Sequence, residues 1–200
     1  MRLKFVLISA ITLVVSACSS HVSSDVSRFN EMPAPTGQSV TVVAMDAEHQ
    51  DGLEFAKYQE LVSDALVAQG YKAATDGGDL TASIKFSRSE GQKRWVPISG
   101  PLSNDRYWRS HRAFWWGYSS FYDPFYDNRD DLVRRIYYTH TLKVFINDSN
   151  GKRVFEGAVI SENRYKSLPE VMPYLIEAMF VDFPGKSGET KRIVLKKDKE

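Results

Sequence analysis

From Tyr138 to Asn163 the chain reads YTHTLKVFINDSNGKRVFEGAVISEN, and the fold follows from how this stretch alternates. Tyr138, His140, Leu142, Val144 and Ile146 fall on one side of an extended segment running from Arg135 to Asp148. Asn150-Gly151 is a favoured type I′ pair, so Arg153 to Asn163 returns as the second arm of a hairpin. Strands with one apolar and one polar face imply an antiparallel sheet packed on one side only.

Outward from this hairpin, Asp79 to Ser87 alternates in the same way, with Leu80, Ala82, Ile84 and Phe86 on one face and Thr81, Ser83 and Lys85 on the other. Ser39 to Met45 is short and β-branched, and reads as a buried strand. Asp51-Gly52-Leu53-Glu54 has the spacing of a capping box that opens a helix. Phe55, Tyr58, Val62, Ala65, Leu66 and Gln69 recur at intervals of three and four before Gly70 stops the run. A second helix spans Ser167 to Phe183, its regular part expected after Pro173, because an interior proline removes one i→i−4 bond. Pro184-Gly185 ends it, and Thr190 to Leu195 is a candidate last strand.

The fold class expected is therefore α+β, a two-layer sandwich with two α-helices packed on one face of an antiparallel β-sheet. Leu66, Leu80, Ile84, Phe86, Leu142, Val144, Leu175 and Met179 should share its core. Residues 39–195 form the single domain, and 196–200 a charged tail. Residues 19–38, with Pro33, Pro35 and Gly37, read as a tether, or as a lead-in strand carried by Val22, Val26 and Phe29.

With 42% hydrophobic and 26% charged residues, the 200-residue chain has the composition of one ordinary globular domain. Residues 1–18, MRLKFVLISAITLVVSAC, combine two positive charges, an apolar run from Phe5 to Val15, and small residues before Cys18. That is the pattern of a signal peptide, its apolar run too short for a stable span. Val15-Ser16-Ala17-Cys18 resembles the lipobox of bacterial lipoproteins, with Val where Leu is usual. By that resemblance the Cys18 thiol is lipidated, and its acyl chains, at roughly 0.8 kcal/mol per buried CH₂, hold the protein at a membrane. Cys18 is the only cysteine, which excludes a disulfide framework and thiolate zinc sites. Ser19, where an Asp would favour inner-membrane retention, points to the periplasmic face of the outer membrane. Once Arg2 and Lys4 leave with the leader, 24 basic residues face 25 acidic ones, so net charge gives no argument for nucleic acid.

LEFAKYQELVSDALVAQGY (53–71), DLTASIKFS (79–87), LKVFINDSNGKRVFEG (142–157) and above all MPYLIEAMFVDFPGKSGETKRIVL (172–195) resemble the bacterial lipoprotein family DUF4136. The likeness runs from Val22 to Leu195. It implies a lipid-anchored envelope protein with an aromatic-rich middle insert. It carries over no reaction and no catalytic residues.

The chemical motifs present point to no reaction. Gly185-Lys186-Ser187 matches the end of a P-loop, but Phe180 stands where the first glycine belongs, so a turn is expected. Ser149-Asn150-Gly151-Lys152 fits S-x-x-K but lies in the predicted hairpin turn. His21, His49, His111 and His140 are scattered, and His140 on the apolar face reads as a satisfied core histidine. Asp123, Asp127, Asp130 and Asp131 lack the glycine of a calcium loop. No enzyme activity, cofactor or metal is expected.

The anomaly is the insert, residues 87–134. Between Tyr107 and Tyr126, ten of twenty residues are aromatic, and Arg88, Lys93, Arg94, Arg106, Arg109 and Arg112 face only Glu90 and Asp105. So long a connection, without strand or helix periodicity, demands an explanation. It either buries its aromatics against the open face of the sheet or presents them to a partner. Tyr, Trp and Arg dominate binding hot spots, which marks Tyr107, Trp108, Arg109, Arg112, Trp115, Trp116, Tyr118 and Tyr122 as candidate binding residues. The function expected is that of an envelope interaction or scaffolding module, its partner another envelope protein. A small-ligand or glycan platform is the alternative, and lipid a third contact. Nucleic acid fits poorly with export.

Overall fold

The structure, a computed structural model, describes residues 21–32, 35–97 and 132–197. Eight strands and two α-helices follow one another: β1 (His21–Asn30), β2 (Ser39–Ala44), a 3-10 turn (Ala47–His49), α1 (Leu53–Ala68), β3 (Lys72–Ala74), β4 (Leu80–Arg88), β5 (Gln92–Pro97), β6 (Leu132–Asp148), β7 (Arg153–Asn163), α2 (Leu168–Phe180) and β8 (Glu189–Lys196). The sheet order is β3-β2-β4-β6-β7-β1-β8, and β5 pairs with β6.

This corrects the expected fold class. The sheet is mixed, because β2 runs parallel to both β3 and β4 while the remaining pairs are antiparallel. With eight strands to two helices among the described residues, the molecule is mostly sheet, not the antiparallel two-layer sandwich anticipated. Alternation reveals which face a residue takes, and says nothing about the direction of the neighbouring strand. Direction here is set by α1, which carries the chain from the end of β2 back to the start of β3, the crossover that parallel pairing needs.

From β3 the chain must then pass β2 to reach β4, and it does so at Thr41. The Thr41 hydroxyl accepts the Gly78 N–H at 3.0 Å, and a Cβ at Gly78 would lie 2.9 Å from the Thr41 backbone nitrogen. Only a glycine lets the two backbones cross this closely. Asp79 fixes the crossing: its carboxylate accepts the N–H and hydroxyl of Ser39 at 2.8 and 2.7 Å, which holds it below the usual carboxylate range.

The core lies between the sheet and the helices. Val22 and Val26 of β1, Val40 and Val42 of β2, Ala82 and Ile84 of β4, Leu142, Val144 and Ile146 of β6, and Phe155 and Val159 of β7 are buried on the face the helices cover. Phe55, Tyr58, Val62 and Leu66 of α1 meet them, as do Val171, Met172, Leu175 and Met179 of α2. Of the residues expected in the core, all are buried except Phe86, which is partly covered and stacks edge-on against Tyr58 with centroids 4.9 Å apart. Gly157 interrupts the apolar face of β7 for a reason: a Cβ there would be 2.6 Å from the Met179 sulfur, so its absence seats α2 on the sheet. Among the described residues, every buried core residue lies between Val22 and Ile193, so a chain starting at Ser19 contains all of these.

Three local expectations change. The helix-opening capping box does not form: Gly52 is the N-cap of α1, and Glu54 accepts the hydroxyl of buried Tyr58 at 2.7 Å. A buried phenol needs a partner, and a carboxylate one turn earlier supplies it. The other end of α1 follows expectation, with the amides of Gly70 and Tyr71 bonding back to the carbonyls of Val67 and Leu66. α2 begins at Leu168, with Pro173 inside it, because burial of Val171 and Met172 offsets the one lost hydrogen bond. The β6–β7 turn is not type I′, since only Gly151 has positive φ; the Asp148 carboxylate instead accepts the amides of Asn150 and Lys152. Of the two readings of the segment before residue 39, the strand through Val22, Val26 and Phe29 is the one that forms: it is β1, which pairs with both β7 and β8.

His140 is wholly buried; its Nε2 is 2.9 Å from the Tyr165 carbonyl, and its Nδ1 has no hydrogen-bond partner. The carbonyl requires Nε2 to carry the proton. Burial first, and the Arg88 guanidinium second, push the imidazole below its ordinary 6.5. The folded state thus resists a proton that the unfolded chain accepts, so stability present above about pH 6.5 is lost as pH falls through that value.

Two measurements test this account. In urea denaturation Leu142→Ala should cost about 2 to 5 kcal/mol, whereas exposed Lys143→Ala should stay within about 0.5 kcal/mol; equal losses would refute one-sided burial. Lowering pH from about 7.5 to about 5.5 should reduce the melting temperature of the wild type more than that of His140→Gln, whose amide still reaches the Tyr165 carbonyl. Parallel pH profiles would show that His140 is not the group responsible.

Candidate functional site

The residues singled out from the sequence, Cys18 and Tyr107, Trp108, Arg109, Arg112, Trp115, Trp116, Tyr118 and Tyr122, lie outside the described residues. What the structure does describe is the base from which the insert departs. β5 pairs antiparallel with the first residues of β6, from Gln92 opposite Tyr137 to Pro97 opposite Leu132. The flanks of the insert are therefore strands, and the connection narrows to residues 98–131. β6 is 17 residues long, roughly 55 Å at about 3.3 Å per residue. Its C-terminal part is a middle strand of the main sheet, and its N-terminal part forms this two-stranded stem.

β6 runs unbroken from sheet to stem, while its partner leaves strand geometry at residues 89–91 and the pairing shifts by one residue, from Arg88 opposite His140 to Gln92 opposite Tyr137. Ser89 N–H donates to the Thr139 carbonyl at 2.8 Å, and Thr139 N–H donates to the Ser89 hydroxyl at 2.9 Å. Side-chain alternation along β6 therefore carries on, and the face holding His140 and Leu142 in the core continues outward as Tyr138, Ile136, Arg134 and Leu132. Beyond Tyr138, over which the Arg88 guanidinium lies, this face is exposed. Trp95 is 66% exposed, Leu132 52% and Ile136 43%. Trp95 stands opposite Arg134 and Ile136 opposite Lys93, so these two apolar side chains face cations across the stem, while Leu132 stands opposite Pro97.

The other face of the stem is tied to the body. Arg94 pairs with Glu162 of β7 at 2.5 Å and lies over the Tyr137 ring, 5.7 Å from its centroid. On the inner face, where the stem meets the body, Arg88 donates to the Lys166 carbonyl at 2.7 Å and lies 5.4 Å from the Tyr138 ring centroid. These contacts fix the angle at which the stem leaves the sheet.

Two concave features lie elsewhere. An open apolar groove of about 360 Å³ runs between α1 and α2, lined by Leu61, Ala65, Pro173, Ile176 and Phe180 among others. A smaller cavity of about 80 Å³ is lined by Arg28, Asp182, Gly185, Lys186, Glu189 and Lys191. Arg28, only 6% exposed, was missed in the sequence because it occupies an inward position of β1 where alternation expects an apolar residue. Its Nη2 donates to the Ala178 carbonyl at 2.9 Å, in the last turn of α2, where carbonyls lack helical partners and a cation is favoured. Burial lowers its pKa from the ordinary guanidinium value, and the Asp182 carboxylate opposes that shift. The role is structural. Gly185-Lys186-Ser187 lies in the turn after α2, where Asn30 donates to the Gly185 carbonyl and the Ser187 hydroxyl. Ser149–Lys152 lies in the β6–β7 turn. Among the described residues, no three His, Cys, Asp or Glu side chains are placed to hold a metal ion.

The chain belongs to the family described as domain of unknown function DUF4136, whose sequence profile matches residues 24–185. No curated protein matches it. A PelC dodecamer from Paraburkholderia phytofirmans is similar in structure, with a TM-score of 0.41 and 12% identity over 78% of this chain and 92% of that one. A PDZ domain protein from Parabacteroides distasonis is similar with a TM-score of 0.46 and 9% identity, over 88% of this chain and 39% of that one.

Because the stem closes its own ladder, residues 98–131 should be dispensable for folding. Replacing them with Asn-Gly between Pro97 and Leu132 should leave a cooperative unfolding transition with a melting temperature within a few degrees, roughly 1 kcal/mol, of the parent. A collapse of cooperativity would mean that the insert is part of the core.

Proposed function

We propose that this DUF4136 protein is a non-catalytic lipoprotein of the outer membrane, held at its periplasmic face by acyl chains on Cys18, and that its insert is the contact surface for another envelope protein. The observation that carries the reading is the stem. A connection whose aromatics served only to close the core would leave from the rim of the sheet, as an ordinary loop does. Here the chain extends β4 through β5 and lengthens β6 to 17 residues before residues 98–131 begin, and the inner face of that extension is exposed at Trp95, Leu132 and Ile136. Holding a segment on a rigid two-stranded arm limits the entropy lost when it docks. The composition of the insert, rich in Tyr, Trp and Arg, suits a protein contact. The lipobox-like Val15-Ser16-Ala17-Cys18 supports anchorage, and no helix of the described residues is long and apolar enough to cross a membrane.

Two experiments test the parts separately. Cys18→Ala should abolish incorporation of labelled palmitate and release the protein from the membrane pellet; retention after a high-salt wash would overturn acylation as the sole anchor. In cells, crosslinking followed by purification should recover a specific protein with the full chain and lose it when Asn-Gly replaces residues 98–131. An unchanged partner list with altered retention on glycan would favour a carbohydrate platform instead.

A further inference from the structure

We propose that the Trp95 face of the stem is a surface for anionic lipid headgroups, a membrane contact separate from any acyl chain. The strip comprises Lys93 and Trp95 of β5 with Leu132, Arg134 and Ile136 of β6, all on one side of the ladder by register. Its three apolar members are exposed, and Lys93 and Arg134 make no ion pair among the described residues. The stem segments 92–97 and 132–138 contain four cations and no Asp or Glu. The carboxylate that does reach the stem, Glu162, is taken by Arg94 on the opposite face.

Hydrogen-bonding capacity distinguishes the occupant. The side chains of the strip offer ammonium, guanidinium and indole N–H groups, together with apolar area, and not one acceptor. A protein surface presents donors as well as acceptors, and its donors would find no answer here. The headgroup layer of a bilayer presents phosphate and ester oxygens, which only accept, above the ends of acyl chains. Tryptophan settles at that boundary, and lysine and arginine lay their stems on apolar surface while their charged ends reach phosphate. The pairing of Trp95 with Arg134 and of Ile136 with Lys93 gives these two apolar groups a cation across the ladder, the arrangement that lets a shallow strip meet both layers. Anionic lipid is selected because the strip carries uncompensated positive charge, and its attraction falls within a Debye length.

The test uses a chain beginning at Ser19, which contains the whole described core and no Cys18, so its result is independent of acylation. Binding is measured by flotation with vesicles of phosphatidylglycerol and phosphatidylethanolamine, and with phosphatidylcholine alone. The chain should float with the first and scarcely with the second, and binding should weaken as salt rises. Each cation at such a surface contributes about fivefold, so Lys93→Gln with Arg134→Gln should reduce affinity roughly 25-fold. Trp95→Ala should reduce it several-fold, and Ile136→Gln reads the same strip should either variant fold poorly. Melting temperatures should be unchanged, since these side chains are exposed. As a control, Lys57→Gln with Lys143→Gln, away from the strip, should bind as the parent does. Absence of binding, equal binding to neutral vesicles, or an equal loss in the control would overturn the proposal. So would an acidic peptide that binds the strip while vesicles do not, which would assign it to a protein.

Discussion

The continuity of β6 is the constraint on which the rest of the molecule depends. One unbroken strand places His140, Leu142, Val144 and Ile146 against the helices and, a few residues earlier, Arg134 and Ile136 beyond them. Because successive side chains in a strand alternate, the face buried in the body and the face exposed on the stem are the same face. A slip of one residue in the pairing with β4 would turn the core outward and the charged side of the stem inward together. Core packing thus fixes the orientation of the stem, and the pairs of Arg94 with Glu162 and of Arg88 with the Lys166 carbonyl hold it there.

Buried polar groups mark the places where the elements are joined. Arg28 links β1 to the last turn of α2, His140 links β6 to the segment leading into α2, and Thr41 links β2 to the chain that crosses it. Each sits at a junction where a backbone carbonyl or amide would otherwise be buried without a partner, a loss comparable to a broken hydrogen bond. The satisfaction is incomplete, since the Arg28 Nε and the His140 Nδ1 have no partner. In His140 that deficit makes the junction sensitive to acid, because a second ring proton would enter a site with nothing to receive it. The ion pairs elsewhere, such as Arg192 with Asp25 at 2.7 Å, are exposed and contribute little to stability.

Much of this was legible in the residues. The alternation of Leu80 to Phe86 and of Tyr138 to Ile146, the three-and-four spacing from Phe55 to Leu66, and the stop at Gly70 report faces and ends, which are local properties. Family membership was legible too, in the run from Met172 to Leu195. The capping box at Asp51 was misread because a local hydrogen bond lost to the demand of the buried Tyr58 hydroxyl. Pro173 was misread for a similar reason: one absent helical bond counts for less than the burial of a whole turn beneath it. The candidate binding residues between Tyr107 and Tyr122 were marked by composition alone, and composition carries no geometry. The stem gave too faint a signal, because Leu132, Arg134 and Ile136 alternate with their neighbours in exposure but not in polarity, and β5 is exposed from Gln92 to Trp95 without alternation.

The sequence by itself determined which side chains would be inside, where the first helix would end, and which single cysteine is available to an anchor. Those are matters of neighbours along the chain, set by periodicity, turn chemistry and residue type. Only the tertiary structure decided that β2 lies parallel to its neighbours, that the segment from His21 belongs to the middle of the sheet, and that Gly78 and Gly157 stand where another element must come close. Strand direction, strand order and close approach depend on which segments meet after the chain has closed on itself. Residues far apart in sequence, such as Arg28 and Ala178 or Gly157 and Met179, acquire their meaning at that moment and leave no periodic trace beforehand.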